Sequence, residues 1–142
     1  MDLAIAEAEA AGARGEVPIG AVIVLNGKVI SRAGNETRAL HDVTAHAEIL
    51  AIRRASQVLA QERLTEVDLY VTLEPCTMCA GAISFARIKR LYIGAEDEKG
   101  GGVLNGARFF ELSPCHLIPE VYSGFQAENC AKFLRDFFKA QR

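Results

Sequence analysis

The stretch VDLYVTLEPCTMCAGAISFARIKRLYIG, residues 67–94, decides the fold. Val67 to Leu73 is β-branched and apolar, which predicts a buried strand. Pro75 ends it, because a proline has no N–H for the strand ladder. A helix follows from Thr77 to Ala86, and Arg87 to Gly94 reads as a second strand. Strand, helix and strand in this order predict a parallel crossover, with helices packed on a sheet.

Working toward the N-terminus, Thr44 has the chemistry of a helix N-cap. Ala45 to Leu59 then shows helical apolar spacing at Ile49, Ile52 and Leu59. Gly34 to Thr44 is polar and loop-like. Val17 to Leu25 and Lys28 to Ala33 flank Asn26-Gly27, the strongest short hairpin signal. Leu3 to Arg14 is rich in Ala and Glu and predicts a first helix, broken by Gly15. Toward the C-terminus, Lys99 to Gly102 is a glycine-rich loop and Gly106 to Leu112 a short helix. Leu117 to Tyr122 is a fifth strand, and Ala127 to Lys139 an amphipathic closing helix. The expected class is α/β: a three-layer α/β/α domain around a mixed five-stranded sheet, with only the first hairpin antiparallel. A chain of 142 residues fits one domain, 1–142.

Half of the residues are hydrophobic and 24% are charged, the balance of an ordinary globular protein. Such a chain buries a sizeable core without metal or disulfide staples, so a bound metal is expected to do chemistry. No apolar stretch approaches the roughly 20 residues needed to span a bilayer. Met1-Asp2-Leu3-Ala4 carries an acid where a signal peptide carries basic residues, which predicts a cytoplasmic protein. The net charge of −2 argues against coating long nucleic acid. It leaves room for a small basic patch that recognises one folded RNA.

Two clusters carry chemistry. His46-Ala47-Glu48 opens the second helix, and Pro75-Cys76-Thr77-Met78-Cys79 lies where a strand hands over to a helix. At a helix N-terminus the dipole favours the thiolate that a metal needs. One imidazole and two thiolates leave tetrahedral zinc one open position, the pattern of a catalytic site. Water bound there has its pKa brought toward ~7, and Glu48 is near enough to take its proton. A Cys-x-x-Cys after a strand also occurs in thioredoxin-like redox proteins, but dithiol exchange has no use for His-x-Glu. A closed structural site would need a fourth ligand, for which His41, Cys115 and His116 are the obvious candidates. His41 reads as a loop residue and Cys115, beside Pro114, as a small buried side chain. Cys130, with helical neighbours Ala127, Phe133 and Leu134, reads as packing.

Four stretches carry a resemblance: Glu16 to Val22 (EVPIGAV), Thr44 to Ile49 (TAHAEI), Leu69 to Ile83 (LYVTLEPCTMCAGAI) and Ala86-Arg87-Ile88. Across nearly the whole chain the sequence resembles the cytidine deaminase superfamily. Within it, the flanking words resemble the bacterial tRNA adenosine deaminases of the TadA type. The resemblance implies a cytidine-deaminase-like fold with one zinc per chain on His46, Cys76 and Cys79, and Glu48 as proton shuttle. The implied reaction is hydrolytic deamination of adenosine to inosine at the wobble position of a tRNA anticodon, that of an arginine tRNA. Zinc-activated hydroxide would attack adenine C6 while Glu48 protonates N1 and then the leaving amine. The implied partners are the tRNA anticodon stem-loop and a second copy of the chain, as a homodimer.

The same resemblance implies that Asn35 contacts the base, that Asp97 and Lys99 face the RNA, and that Phe138 closes over the flipped-out nucleotide while Phe137 packs inward. Lys132, Arg135, Lys139 and Arg142 either bind tRNA phosphates or complement the helix C-terminal dipole, two readings left open. Val43 stands where a proline is common, and Gly100 to Gly106 and Cys115 to Tyr122 are less typical. The rival readings are a deaminase of a free base or nucleoside, such as guanine or cytosine, and a non-catalytic zinc scaffold.

Overall fold

The computed structural model describes residues 1–115 and 117–142, so the candidate ligand His116 lies outside the described residues. The elements run α1 (Asp2–Ala13), β1 (Gly20–Leu25), β2 (Lys28–Gly34), α2 (Ala47–Leu59), β3 (Asp68–Leu73), α3 (Thr77–Ala86), β4 (Arg90–Ala95), a 3-10 turn (Phe109–Glu111), β5 (Glu120–Tyr122) and α4 (Ala127–Ala140). They form one mixed sheet of five strands in the order β2-β1-β3-β4-β5. Helices α1 and α4 pack together on one face, and α2 and α3 on the other. The expected α/β/α layering is what the chain adopts. No helix among the described residues is long and apolar enough to cross a membrane.

Asn26 and Gly27 both take positive φ, 50° and 77°, and reverse β1 into β2 as the Asn-Gly signal requires. The expectation that only this hairpin is antiparallel is corrected. β1 also pairs antiparallel with β3, with Ala21 opposite Val71 and Ile23 opposite Leu69. β3–β4 and β4–β5 are parallel. The cause lies in the two hairpin strands. β1 reads Gly-Ala-Val-Ile-Val-Leu, and its first four residues are buried, so it must be covered on both sides. β2 exposes Lys28 and Arg32, a composition suited to a sheet edge. The α2 crossover therefore sets β3 against the free side of β1, leaving β2 at the rim.

Alternation along the strands sorts the two faces. Ile23, Leu69, Val71, Leu91 and Ile93 are buried in one cluster with Leu50, Ala51, Ala55 and Ile83 of α2 and α3. On the opposite face, Tyr70, Tyr92 and Tyr122 stack in register, with centroids 4.5 and 5.2 Å apart. α1 lies close to the sheet because Ala4, Ala8 and Ala11, one helical face of minimal side chains, are its buried residues.

Several local boundaries differ from expectation; the fifth strand, expected from Leu117, begins at Glu120. The N-cap of α2 is His46, not Thr44. The Thr44 N–H and hydroxyl both donate to Asp42 Oδ1, at 2.8 and 2.7 Å, which spends Thr44 on a turn instead. β4 begins at Arg90 because Arg87, at φ 62°, is the left-handed C-cap of α3. The short helix expected over Gly106 to Leu112 is a single 3-10 turn.

Candidate metal centre

The N-termini of α2 and α3 meet beside the C-terminal end of β3. His46 is the N-cap of α2 and Cys76 the N-cap of α3, both with extended backbone. Each carbonyl accepts the first helical bond, from Leu50 N–H at 3.0 Å and from Ala80 N–H at 2.8 Å. Both side chains thus stand at the positive end of a helix dipole. His46 Nδ1 lies 3.7 Å from Cys76 Sγ and 3.5 Å from Cys79 Sγ. The three ligand atoms lie within 4.8 Å of one another and are able to hold a metal ion. Cys79 is buried, whereas His46 and Cys76 are half-buried, so the group is open on one side.

The electrostatics favour a soft anionic donor set. The Cys79 thiol, and after it the His46 ring, bring the Cys76 thiol down to about 4. Cys79 is pushed upward by the neighbouring Cys76 and by burial. Cys76 in turn raises His46. Glu48, in the first turn of α2 and only 4% exposed, has its carboxyl pushed up to about 7 by burial, while the His46 charge and the Cys79 thiol pull the other way. A buried carboxyl in contact with one of the sulfurs is equipped to hold and release a proton there.

A MafB19-like deaminase family profile matches residues 1–142. A tRNA-specific adenosine deaminase of Agrobacterium fabrum is 63% identical over 142 residues, all of this chain and 93% of that protein. The chain belongs to the tRNA-specific adenosine deaminase family.

A second member of the tRNA-specific adenosine deaminase family, from Rickettsia bellii, is 45% identical over 144 residues, covering all of this chain and 99% of that protein. A solved structure from biochemical and structural studies of A-to-I editing by tRNA:A34 deaminases superposes with a TM-score of 0.93 at 63% identity, covering 94% of this chain and 97% of that one. The fold of a tRNA-specific adenosine deaminase is thus shared at the level of the whole sheet and its helices.

The other residues singled out in the sequence divide into those near the centre and those apart from it. Asn35 follows β2 directly and is buried; its Oδ1 accepts the Ala47 N–H at 2.9 Å, at the first turn of α2. Its backbone is clamped too, with its N–H on Ile19 O and its carbonyl on Arg14. Asp97 Oδ1 accepts the N–H groups of Lys99 and Gly100, at 3.1 and 2.9 Å, which makes it a turn former as well as a loop charge. The Lys99 side chain is exposed. Phe138 is half exposed on the last turns of α4 and stacks edge-on with Phe137. It lines a groove with Leu134, Arg135, Lys139 and Arg142.

Lys132 pairs with Asp136 at 2.7 Å and Arg135 with Glu128, so both of these helix cations have partners on α4 itself. Phe137 is half-buried, and the Arg38 guanidinium sits 5.9 Å from its ring. Cys115 is half-buried rather than buried; its sulfur lies 3.2 Å from Ser84 Oγ. His41 is an exposed loop residue at φ 49°.

Two buried carboxylates escaped the sequence reading. Glu16 accepts the N–H groups of Arg38 and Ala39, at 3.0 and 2.9 Å, and pins the loop that leads to His46. Glu74 does the same for the loop after β4. The signal for both was an acid within two residues of a proline at the edge of an apolar run, where a solvated carboxylate has no place.

Proposed function

We propose that the chain deaminates adenosine to inosine at the wobble position of a tRNA anticodon, that of an arginine tRNA. It would act as a cytoplasmic homodimer of one 142-residue deaminase domain, with one zinc per chain. The observation that carries this is the convergence of His46, Cys76 and Cys79 from two helix N-termini upon the buried Glu48.

The donor set fits zinc. Bond lengths of about 2.0 Å to nitrogen and about 2.3 Å to sulfur put tetrahedral neighbours about 3.5 Å apart. The His46–Cys79 and His46–Cys76 separations, 3.5 and 3.7 Å, have that spacing. Held by His46, Cys76 and Cys79, zinc would supply the Lewis acidity that lowers the pKa of a water. Glu48 would take one proton from the attacking water and pass it to adenine N1 as the water oxygen bonds to C6; the remaining hydroxyl proton would then pass through Glu48 to the exocyclic amine as the C6–N bond breaks. Water and adenosine thus become inosine and ammonia. With Asn35 Oδ1 occupied by Ala47 N–H, its Nδ2 is left to donate to an acceptor nitrogen of the purine. Asp97 and Lys99 face the RNA from their loop, and Phe138 covers the flipped nucleotide once the stem-loop is bound.

The test is inosine formation on an arginine anticodon stem-loop, with zinc measured on the same sample. Inosine at the wobble position with about one zinc per chain is the expected result. Zinc without inosine would move the substrate to free purines and pyrimidines. Equal turnover of free adenosine would overturn the tRNA assignment.

A further inference from the structure

Glu74 lies between the last residue of β3 and the proline that precedes the metal-ligating turn. It is 2% exposed, and among the described residues its partners are N–H groups of a single segment. Its Oε2 accepts the backbone N–H groups of Val103, Leu104 and Asn105, at 3.2, 3.0 and 3.0 Å. Its Oε1 accepts the Asp97 N–H at 3.1 Å and the Asn105 side-chain amide at 2.7 Å. Both ends of the segment 97–105 are therefore tied to one carboxylate by charge-assisted bonds. The middle of the segment is tied to the same turn through backbone. Gly102 N–H donates to Pro75 O at 2.8 Å, and Phe109 N–H donates to Gly102 O at 2.8 Å.

The glycines of this segment answer to the same arrangement. A Cβ on Gly101 would run into Glu74 Oε2, and one on Gly102 would lie 2.6 Å from Thr77 N. Within the run that looked atypical in sequence, Gly101 and Gly102 thus leave the space in which the loop closes around the carboxylate and rests on the Cys76–Thr77 backbone.

We propose that Glu74 is a positioning residue that holds the Asp97–Asn105 loop as a fixed wall against the turn bearing Cys76. It sets where Asp97 and Lys99 stand relative to the metal centre. The role in RNA contact rests on the function proposed above; the role in ordering the loop rests on the hydrogen bonds alone. A neutral amide at this position turns one acceptor into a donor facing N–H groups, which leaves several buried donors without a partner.

The test is E74Q, with Asn105→Ala as a milder variant that removes one donor and leaves the backbone bonds intact. Amide hydrogen exchange is measured on zinc-loaded protein, and kcat and KM on the anticodon stem-loop. In E74Q the amides of Asp97, Val103, Leu104 and Asn105 are expected to exchange at least about tenfold faster, with those of β1 and β3 unchanged. KM is expected to rise about tenfold with kcat within about twofold. N105A moves both readouts in the same direction by less, and decides the matter if E74Q does not fold. Unchanged exchange overturns the proposal. So does a loss that falls wholly on kcat at unchanged KM, because a merely structural role lowers the fraction of active enzyme and nothing else. The exchange arm contains no RNA. Faster exchange with a wild-type chain silent on the stem-loop would support the positioning role and count against the tRNA reading alone.

Discussion

Gly102→Ala adds one methyl group where two backbones touch. The new Cβ would lie 2.6 Å from Thr77 N, 2.7 Å from Thr77 Cα and 2.9 Å from Cys76 C. All three are main-chain atoms of the first turn of α3, so no side chain can swing away. Ordinary carbon contacts begin at about 3.5 Å, so relief needs a displacement of about 0.8 Å. If the loop retreats, it gives up the Gly102–Pro75 and Phe109–Gly102 hydrogen bonds. Each contributes about 1 kcal/mol net, and overpacking adds about 1–3 kcal/mol, so about 3–5 kcal/mol is expected in all. At about 3 °C per kcal/mol for a domain of this size, the metal-free protein should melt about 9–15 °C lower.

If α3 retreats instead, Cys76 moves with it. Metal–ligand distances tolerate only about 0.2 Å, so zinc affinity should fall about 10- to 100-fold. Gly81→Ala, on the same helix, is the control: its Cβ would meet only Phe109 Cζ at 3.9 Å. An alanine in a helix interior should there add about 0.5–1 kcal/mol of stability. Thermal unfolding of metal-free protein and competition for zinc with a chelating dye give both numbers. A Gly102→Ala protein that melts within about 2 °C of wild type and holds zinc as tightly would refute the close-approach reasoning.

Glu48→Ala removes the proton carrier and no ligand, so zinc should stay near one per chain while kcat falls about 10²–10⁴-fold; loss of zinc together with the fold would instead mark a structural site. Asn35→Asp keeps an oxygen for the Ala47 N–H and removes the Nδ2 donor. Its melting temperature should hold while kcat/KM on the stem-loop drops about 10- to 100-fold, and an unchanged kcat/KM would deny Asn35 a substrate contact. The Thr44 hydroxyl, with its N–H, holds the Asp42 carboxyl below the usual 3.8. A lowered folded pKa gives stability that is present above the unfolded value and lost as pH falls through the folded one. The melting-temperature gap between wild type and Asp42→Asn should therefore close below that pH. A gap that stays constant from about pH 5 to about pH 2.5 would contradict this.

Much of the secondary structure was legible because its signals are local. The helix α3 spans Thr77–Ala86 as read, since a proline before it and a strand-like run after it bound it on both sides. The Asn26-Gly27 hairpin was legible because few residue pairs tolerate two consecutive positive φ values. Thr44 shows how a local rule fails. It has the right chemistry for a cap, but Asp42 two residues earlier offers both of its donors a nearer acceptor. Phe138 shows another limit. Its place in the sequence says nothing of its surroundings, which are the Phe137 ring and a groove on the last turns of α4.

By itself, the sequence determined the element types, the α/β class and a set of thiol, imidazole and carboxyl groups at two helix N-termini. Periodicity, proline and glycine placement, and metal-ligand chemistry are properties of neighbouring residues, so they can be read in one dimension. Only the tertiary structure decided that β1 lies between β2 and β3, that His46 Nδ1 meets both sulfurs, and that Glu74 gathers the 97–105 loop. These depend on which surfaces bury each other across 20 to 30 residues or more of chain. A buried carboxylate and its N–H donors become a unit only when folding has removed the water that would otherwise satisfy each of them.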